Sequence, residues 1–200
     1  MKILAVADIH GAQYRLNLIL DNIEKYLPDL VVICGDITQF GPSDVALNFL
    51  NQIPIKTFAI PGNIDPVDVN DAIDKSNAEN IELKKTEFNK TPFVGFSGVN
   101  QINEFVKNII SNLLDDKCIF VTHVPPYKAQ DKVFLGKNAG SREIRDFIEE
   151  YQPRLVLCGH IHEDPGYSYI KKIPVVNCSM GKRGEGAIIE INKKVKIRML

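Results

Sequence analysis

The chain has 200 residues and a mass of 22.4 kDa, with 44% hydrophobic and 24% charged residues, which excludes a disordered, collagen-like or disulfide-dense protein. Lys and Arg number 24 against 25 for Asp and Glu, a formal net charge of -1, so the basic excess of a protein that grips long nucleic acid or an anionic membrane is missing. No apolar stretch approaches the roughly 18 residues that cross a bilayer, and the apolar run before Asp8 is too short for a signal peptide.

In chain order, short apolar runs at residues 2–8, 30–34, 56–60, 92–97, 118–122 and 155–158 read as strands. Amphipathic segments lie between them. Tyr14, Leu18, Ile19, Ile23 and Tyr26 mark a first helix face, and Val45, Leu47, Phe49 and Leu50 a second. Ile102, Phe105, Ile109, Ile110 and Leu113 mark a third, and Ile144, Phe147, Ile148 and Tyr151 a fourth. This alternation predicts an α/β sheet with helices on its faces. Residues 167–170, 175–178, 187–192 and 195–199 read as successive strands, with turns at Lys171-Lys172 and Asn192-Lys193-Lys194. No repeat, low-complexity tract or linker interrupts the chain, so residues 1–200 are read as one domain. Cys34, Cys118, Cys158 and Cys178 lie far apart without a C-x-x-C pair, as reduced core thiols of a cytoplasmic protein do.

The ends of the apolar runs carry the chemistry. They run into Asp8-Ile9-His10-Gly11, Gly35-Asp36, Pro61-Gly62-Asn63-Ile64-Asp65, His123 and Gly159-His160-Ile161-His162. Loops beyond the carboxyl ends of strands in open α/β folds gather at one edge and build the site. The chain has 4 histidines, and each stands at such a strand end. Imidazole and carboxylate groups in one cluster suit divalent ions such as Mn, Fe, Zn, Co or Ni. Asp8, His10, Asp36, Asn63, His123, His160 and His162 are too many for one tetrahedral ion and suit a pair, which can clamp a phosphoryl group and activate water.

These motifs, in this order between residues 8 and 162, closely resemble those of the calcineurin-like metallophosphoesterase family. The resemblance implies a two-sheet αββα sandwich and a hydrolase active with two divalent metal ions, manganese foremost, with Ni, Co, Fe, Zn or Mg as alternatives. It implies one ion held by Asp8, His10, Asp36 and His162, and a second held by Asp36, Asn63, His123 and His160. Asp36 would be the bridge, and the nucleophile a hydroxide shared by both ions. The catalytic roles would fall on Asn63, His10 and Asp36, with the Asn63 amide donating to a phosphate oxygen. No organic cofactor is implied.

The sequence departs from the family pattern at one position. Where family members usually carry a histidine after Gly-Asn, this chain has Ile64. That histidine aids the leaving group, and loss of such an acid costs on the order of 10²–10⁴ for alkoxide departure. The expected substrate is therefore a small phosphodiester or nucleotide, with no membrane partner and long nucleic acid less favoured. The rival readings are a binding platform with little catalysis and a nuclease.

Other polar residues have plainer readings. Asp65, before Pro66, is expected to cap the next helix. Glu163 and Asp164 read as solvated loop carboxylates. The Gly181–Gly186 segment precedes a strand, so it reads as a loop whose Lys182 and Arg183 reach toward an anion only if it folds over the site. Lys128, Lys132, Lys137 and Arg142 are candidates of the same kind, and Tyr127 either stacks on a base or packs.

Overall fold

The computed structural model describes residues 1–99, 102–182 and 184–200. Its elements are β1 (Lys2–Val6), α1 (Gln13–Tyr26), β2 (Leu30–Cys34), α2 (Ser43–Gln52), β3 (Thr57–Ile60) and α3 (Val69–Lys75). There follow β4 (Glu79–Asn80), β5 (Lys85–Phe88), β6 (Thr91–Gly95), α4 (Glu104–Leu113), β7 (Ile119–Val121) and α5 (Arg142–Tyr151). The chain closes with β8 (Leu155–Cys158), β9 (Gly166–Ile170), β10 (Ile173–Asn177), β11 (Ala187–Ile191) and β12 (Val195–Met199).

The strands form two mixed sheets of six, in the orders β12-β11-β1-β2-β3-β4 and β5-β6-β7-β8-β10-β9. Alternation along each strand explains why they stack. In β2, Leu30, Val32 and Cys34 face the opposite sheet and join Ile3, Ala5, Phe58, Ile119, Val121, Leu155 and Leu157 in the central core. Val31 and Ile33 face outward onto α1, α2 and α3 with Leu16, Ile19, Phe49, Leu50 and Ile73. On the second sheet, Val94, Phe120, Val156 and Val175 face outward onto Ile110 of α4 and Ile144, Phe147 and Ile148 of α5. Strands buried on both faces read as continuous apolar runs, which is how they appear in the sequence. The layers are helix, sheet, sheet, helix, the αββα sandwich the motifs imply.

The parallel strands β1, β2 and β3 of one sheet and β7 and β8 of the other all point their carboxyl ends to the same edge. The four C-terminal strands divide between the sheets: β9 and β10 pair as a hairpin in the second, and β11 and β12 in the first. The turns fall at Lys171-Lys172 and Asn192–Lys194, as read from the sequence.

Several expectations need correction. The first strand stops at Val6 rather than at residue 8, because Asp8 adopts a left-handed backbone (φ 62) that no strand accommodates. Tyr14 and Phe105 do not join apolar faces; they are 59% and 71% exposed. Strand β5 was not foreseen, since Lys85-Thr86-Glu87-Phe88 is an edge strand with charged residues on its open face. Helix α3 and the two-residue β4 were also too short for a periodic signal.

Candidate metal centre

Each ligand-type residue sits just past a strand, where the backbone turns sharply. Asp8, His10, Asp36 and His160 all have positive φ, at 62, 53, 53 and 69. Non-glycine residues in this region cost about 1–3 kcal/mol each and persist only where the surroundings fix them. Here the loops lace one another. Asp8 N donates to Gly35 O at 3.0 Å, His10 N to Asp36 O at 2.9 Å and Gly159 N to His123 O at 3.0 Å. His160 N donates to the Asp8 carboxylate at 3.1 Å. The motif glycines serve this crowding: a Cβ on Gly62 would fall on Asp36, and one on Gly159 on Ala7.

All seven residues predicted from the sequence are brought to this edge, in two sets. In the first, His10 Nε2 and His162 Nε2 face each other at 3.1 Å, and His162 Nε2 lies 3.5 Å from Asp8 Oδ1. In the second, Asn63 Oδ1 lies 2.8 Å from His123 Nε2 and 2.7 Å from His160 Nδ1, with Asp36 Oδ2 3.4 Å from His123 Nε2. Asp8 stands between the sets, with a carboxylate oxygen within 4.8 Å of both His10–His162 and Asp36–His123. Asp8 and His123 are 0% exposed and Asp36 2%, but Asp36 lines the open cleft above the cluster and Asp8 does not.

Two imidazole nitrogens aimed at one another, with carboxylate and amide oxygens on the same point, form a donor set that fits a divalent ion. The tautomer of His123 agrees: its Nδ1–H donates to the Cys34 carbonyl at 2.8 Å, which leaves Nε2 as a free lone pair. Burial pushes the His10 and His160 imidazolium forms down, and the charge of His123 adds to this at His160. The hydrogen bond to Asp8 holds His162 up against its burial. Burial would raise the Asp8 carboxyl, but the bond with His162 and the charge of His123 outweigh it and keep it below the ordinary value. At His123, burial is likewise outweighed, by the hydrogen bond and charge of Asp36, and the net direction is upward.

His160 and His162 do not share a strand face. Both lie beyond β8, and the left-handed turn at His160 sends its Nδ1 to Asn63 while His162 turns toward His10. Asp65 is not a helix cap; Asp68 precedes α3 instead. The Asp65 carboxylate accepts from Ile37 N at 3.0 Å, Thr38 N at 2.7 Å, Thr38 Oγ1 at 2.9 Å and Gly62 N at 2.9 Å. It therefore fastens the Asp36 loop to the Asn63 loop.

The charged candidates fare differently. Lys182 is paired with Glu163 at 2.8 Å, so that carboxylate is not merely solvated. Asp164 accepts from Lys132 N at 3.0 Å and pins the segment after His123. Arg142 lies over the Tyr127 ring at 4.3 Å, so the ring packs under a guanidinium. Arg183 lies outside the described residues. Among the described residues the cation that lines the cleft is Arg15, which sequence reasoning missed. Its guanidinium donates to Asp8 O at 2.8 Å and Gly181 O at 3.2 Å, holding the first ligand turn in place. One signal was available, since Arg15 stands in the first turn of α1, directly after Asp8-x-His10-Gly11.

Fold and site together define a metal-dependent phosphoesterase with a two-sheet sandwich. The family model described as calcineurin-like phosphoesterase matches residues 1–164, and the chain belongs to that family. It is 33% identical over 200 residues to the uncharacterised protein MJ1162 of Methanocaldococcus jannaschii, covering 90% of this chain and 88% of that one. It is 25% identical over 186 residues to GpdQ of Arcobacter nitrofigilis, named as a probable glycerophosphodiester phosphodiesterase, covering 78% of this chain and 64% of that one. The crystal structure of TT1561 of Thermus thermophilus shares the fold, with a TM-score of 0.73 at 16% identity over 99% of this chain and 98% of that one. No helix among the described residues is long and apolar enough to cross a membrane.

Proposed function

We propose that the chain hydrolyses small phosphodiesters with two divalent ions, manganese foremost. The observation that carries this reading is the convergence of two donor sets on adjacent points, one around His10 and His162 and one around Asn63. Asp8, His10, Asp36 and His162 would hold one ion, and Asp36, Asn63, His123 and His160 the other. Two such ions supply an acidified water as nucleophile and neutralise charge on the phosphorus oxygens.

The chain's own groups complete the task. Asp36 lies at the cleft floor, where a shared carboxylate is needed. Asn63 turns Oδ1 to the two imidazoles, which leaves its Nδ2 to donate to a phosphate oxygen. Arg15 holds the Asp8 turn, and Asp65 holds the Asp36 and Asn63 loops in register. All 4 histidines belong to the two donor sets, so no imidazole remains to protonate a departing alkoxide beside Ile64. A diester carries less charge than a monoester and asks less of the site, and the name of the GpdQ relative supports the same class.

The test is to strip the protein with chelator, resupply Mn, Ni, Co, Zn or Mg in turn, and follow bis(p-nitrophenyl) phosphate and p-nitrophenyl phosphate. Turnover that returns only with metal, with diester cleavage exceeding monoester cleavage, is the expected result. No turnover with any metal, or a preference for the monoester, contradicts the proposal.

A further inference from the structure

Phe40 is 75% exposed and lines the same cleft as His10, Asp36, Asn63 and His160. Single exposed aromatics need no explanation in themselves, but this one is held in place. Its backbone is left-handed (φ 57), a conformation a bulky residue adopts only under constraint. The constraints are visible: Phe40 N donates to Ile64 O at 3.2 Å, and Gly41 N donates to Thr38 Oγ1 at 3.2 Å. Thr38 is in turn fixed by Asp65. Phe105 and Phe134 are as exposed, yet neither lines this cleft.

We infer that Phe40, with Ile64 and Gln39 beside it, forms a shelf for the nucleobase of a nucleotide-type substrate whose phosphate sits over the ligand cluster. The inference rests on the phosphate-handling reading of the site and names the substrate class it serves. Ile64 gives an apolar wall at the position where an imidazole would otherwise stand, and Phe40 gives a ring face on which a base can stack. Gln39 is exposed next to Phe40 and offers both a donor and an acceptor to a base edge, which an acyl chain would leave unused. The cleft is about 430 Å³, within the roughly 300–1,000 Å³ of ligand sites. Tyr127 is no rival platform, because Arg142 covers it.

The experiment is calorimetric titration of the manganese-loaded chain with adenosine 5′-phosphate and with ribose 5-phosphate, which differ only by the base. The expected result is tighter binding of adenosine 5′-phosphate by about tenfold or more, the factor that stacking on an aromatic side chain commonly supplies. Phe40→Ala is expected to erase that difference and Phe40→Tyr to keep it. Equal binding of the two ligands by the native chain, binding of neither, or a base preference that survives Phe40→Ala overturns the inference. Diester hydrolysis without a base preference removes the shelf and leaves the proposed activity. A base preference without diester hydrolysis removes the activity and leaves the shelf.

Discussion

The Asp36→Asn protein is expected to bind fewer than one divalent ion per chain and to lose phosphodiester hydrolysis by at least about 100-fold. The substitution is chosen to separate charge from shape. Asn tolerates the left-handed backbone at this position (φ 53) and still offers an oxygen to the Ile64 N–H, which Asp36 Oδ1 accepts at 3.1 Å. What is lost is the negative charge beside His123 and at the floor of the cleft. If Asp36 were a ligand to one ion only, the Asp8, His10 and His162 set would keep its own. If it bridges, both positions empty together. Metal analysis on the folded variant decides this, and two ions per chain would contradict the bridging role.

The Ile64→His protein is expected to gain hydrolysis of an alkyl phosphomonoester relative to a diester. Ile64 lines the cleft, and its backbone is anchored on both sides, by its N–H to Asp36 Oδ1 and by its carbonyl to Phe40 N. An imidazole there would face the departing oxygen. General acids supply about 10²–10⁴-fold, and the gain belongs at the low end. The Asp65 carboxylate that would orient the new ring already accepts from three backbone N–H groups and the Thr38 hydroxyl. Glycerol 2-phosphate is the proper monoester, because its alkoxide needs a proton to leave and p-nitrophenolate does not. An unmoved ratio would show that the substrate preference has a cause other than residue 64.

The layered fold and the edge that carries the site were legible because buried parallel strands announce themselves as apolar runs and their ends collect at one place. The four histidines needed no structure to be noticed. How they divide did need it. His160 and His162 alternate in sequence, and alternation predicts a shared face only on a strand. The left-handed backbone of His160 breaks that rule, and such turns leave no mark in the residue type. Asp65 misleads for a related reason. Asp before Pro is a common helix start, and only the folded chain shows its carboxylate satisfying Gly62 nearby and Ile37 and Thr38 from a distant loop. Arg15 escapes notice because an arginine on an amphipathic helix usually faces solvent. Here Gly181 and the Asp8 turn lie above that helix end and provide carbonyls for it.

Lysine-rich segments give the opposite error, since charge in a loop near a site suggests substrate contact. Neighbouring groups account for part of it: Glu163 takes Lys182, and Tyr127 takes Arg142. Phe40 carries no sequence signal at all, because its meaning depends on the cleft around it.

Anomalous diffraction from crystals of the full chain grown with manganese tests the central claim most directly. Two peaks are predicted, one among Asp8, His10, Asp36 and His162 and the other among Asp36, Asn63, His123 and His160. A single peak, or none at saturating metal in a protein that still cleaves diesters, would contradict the two-ion account.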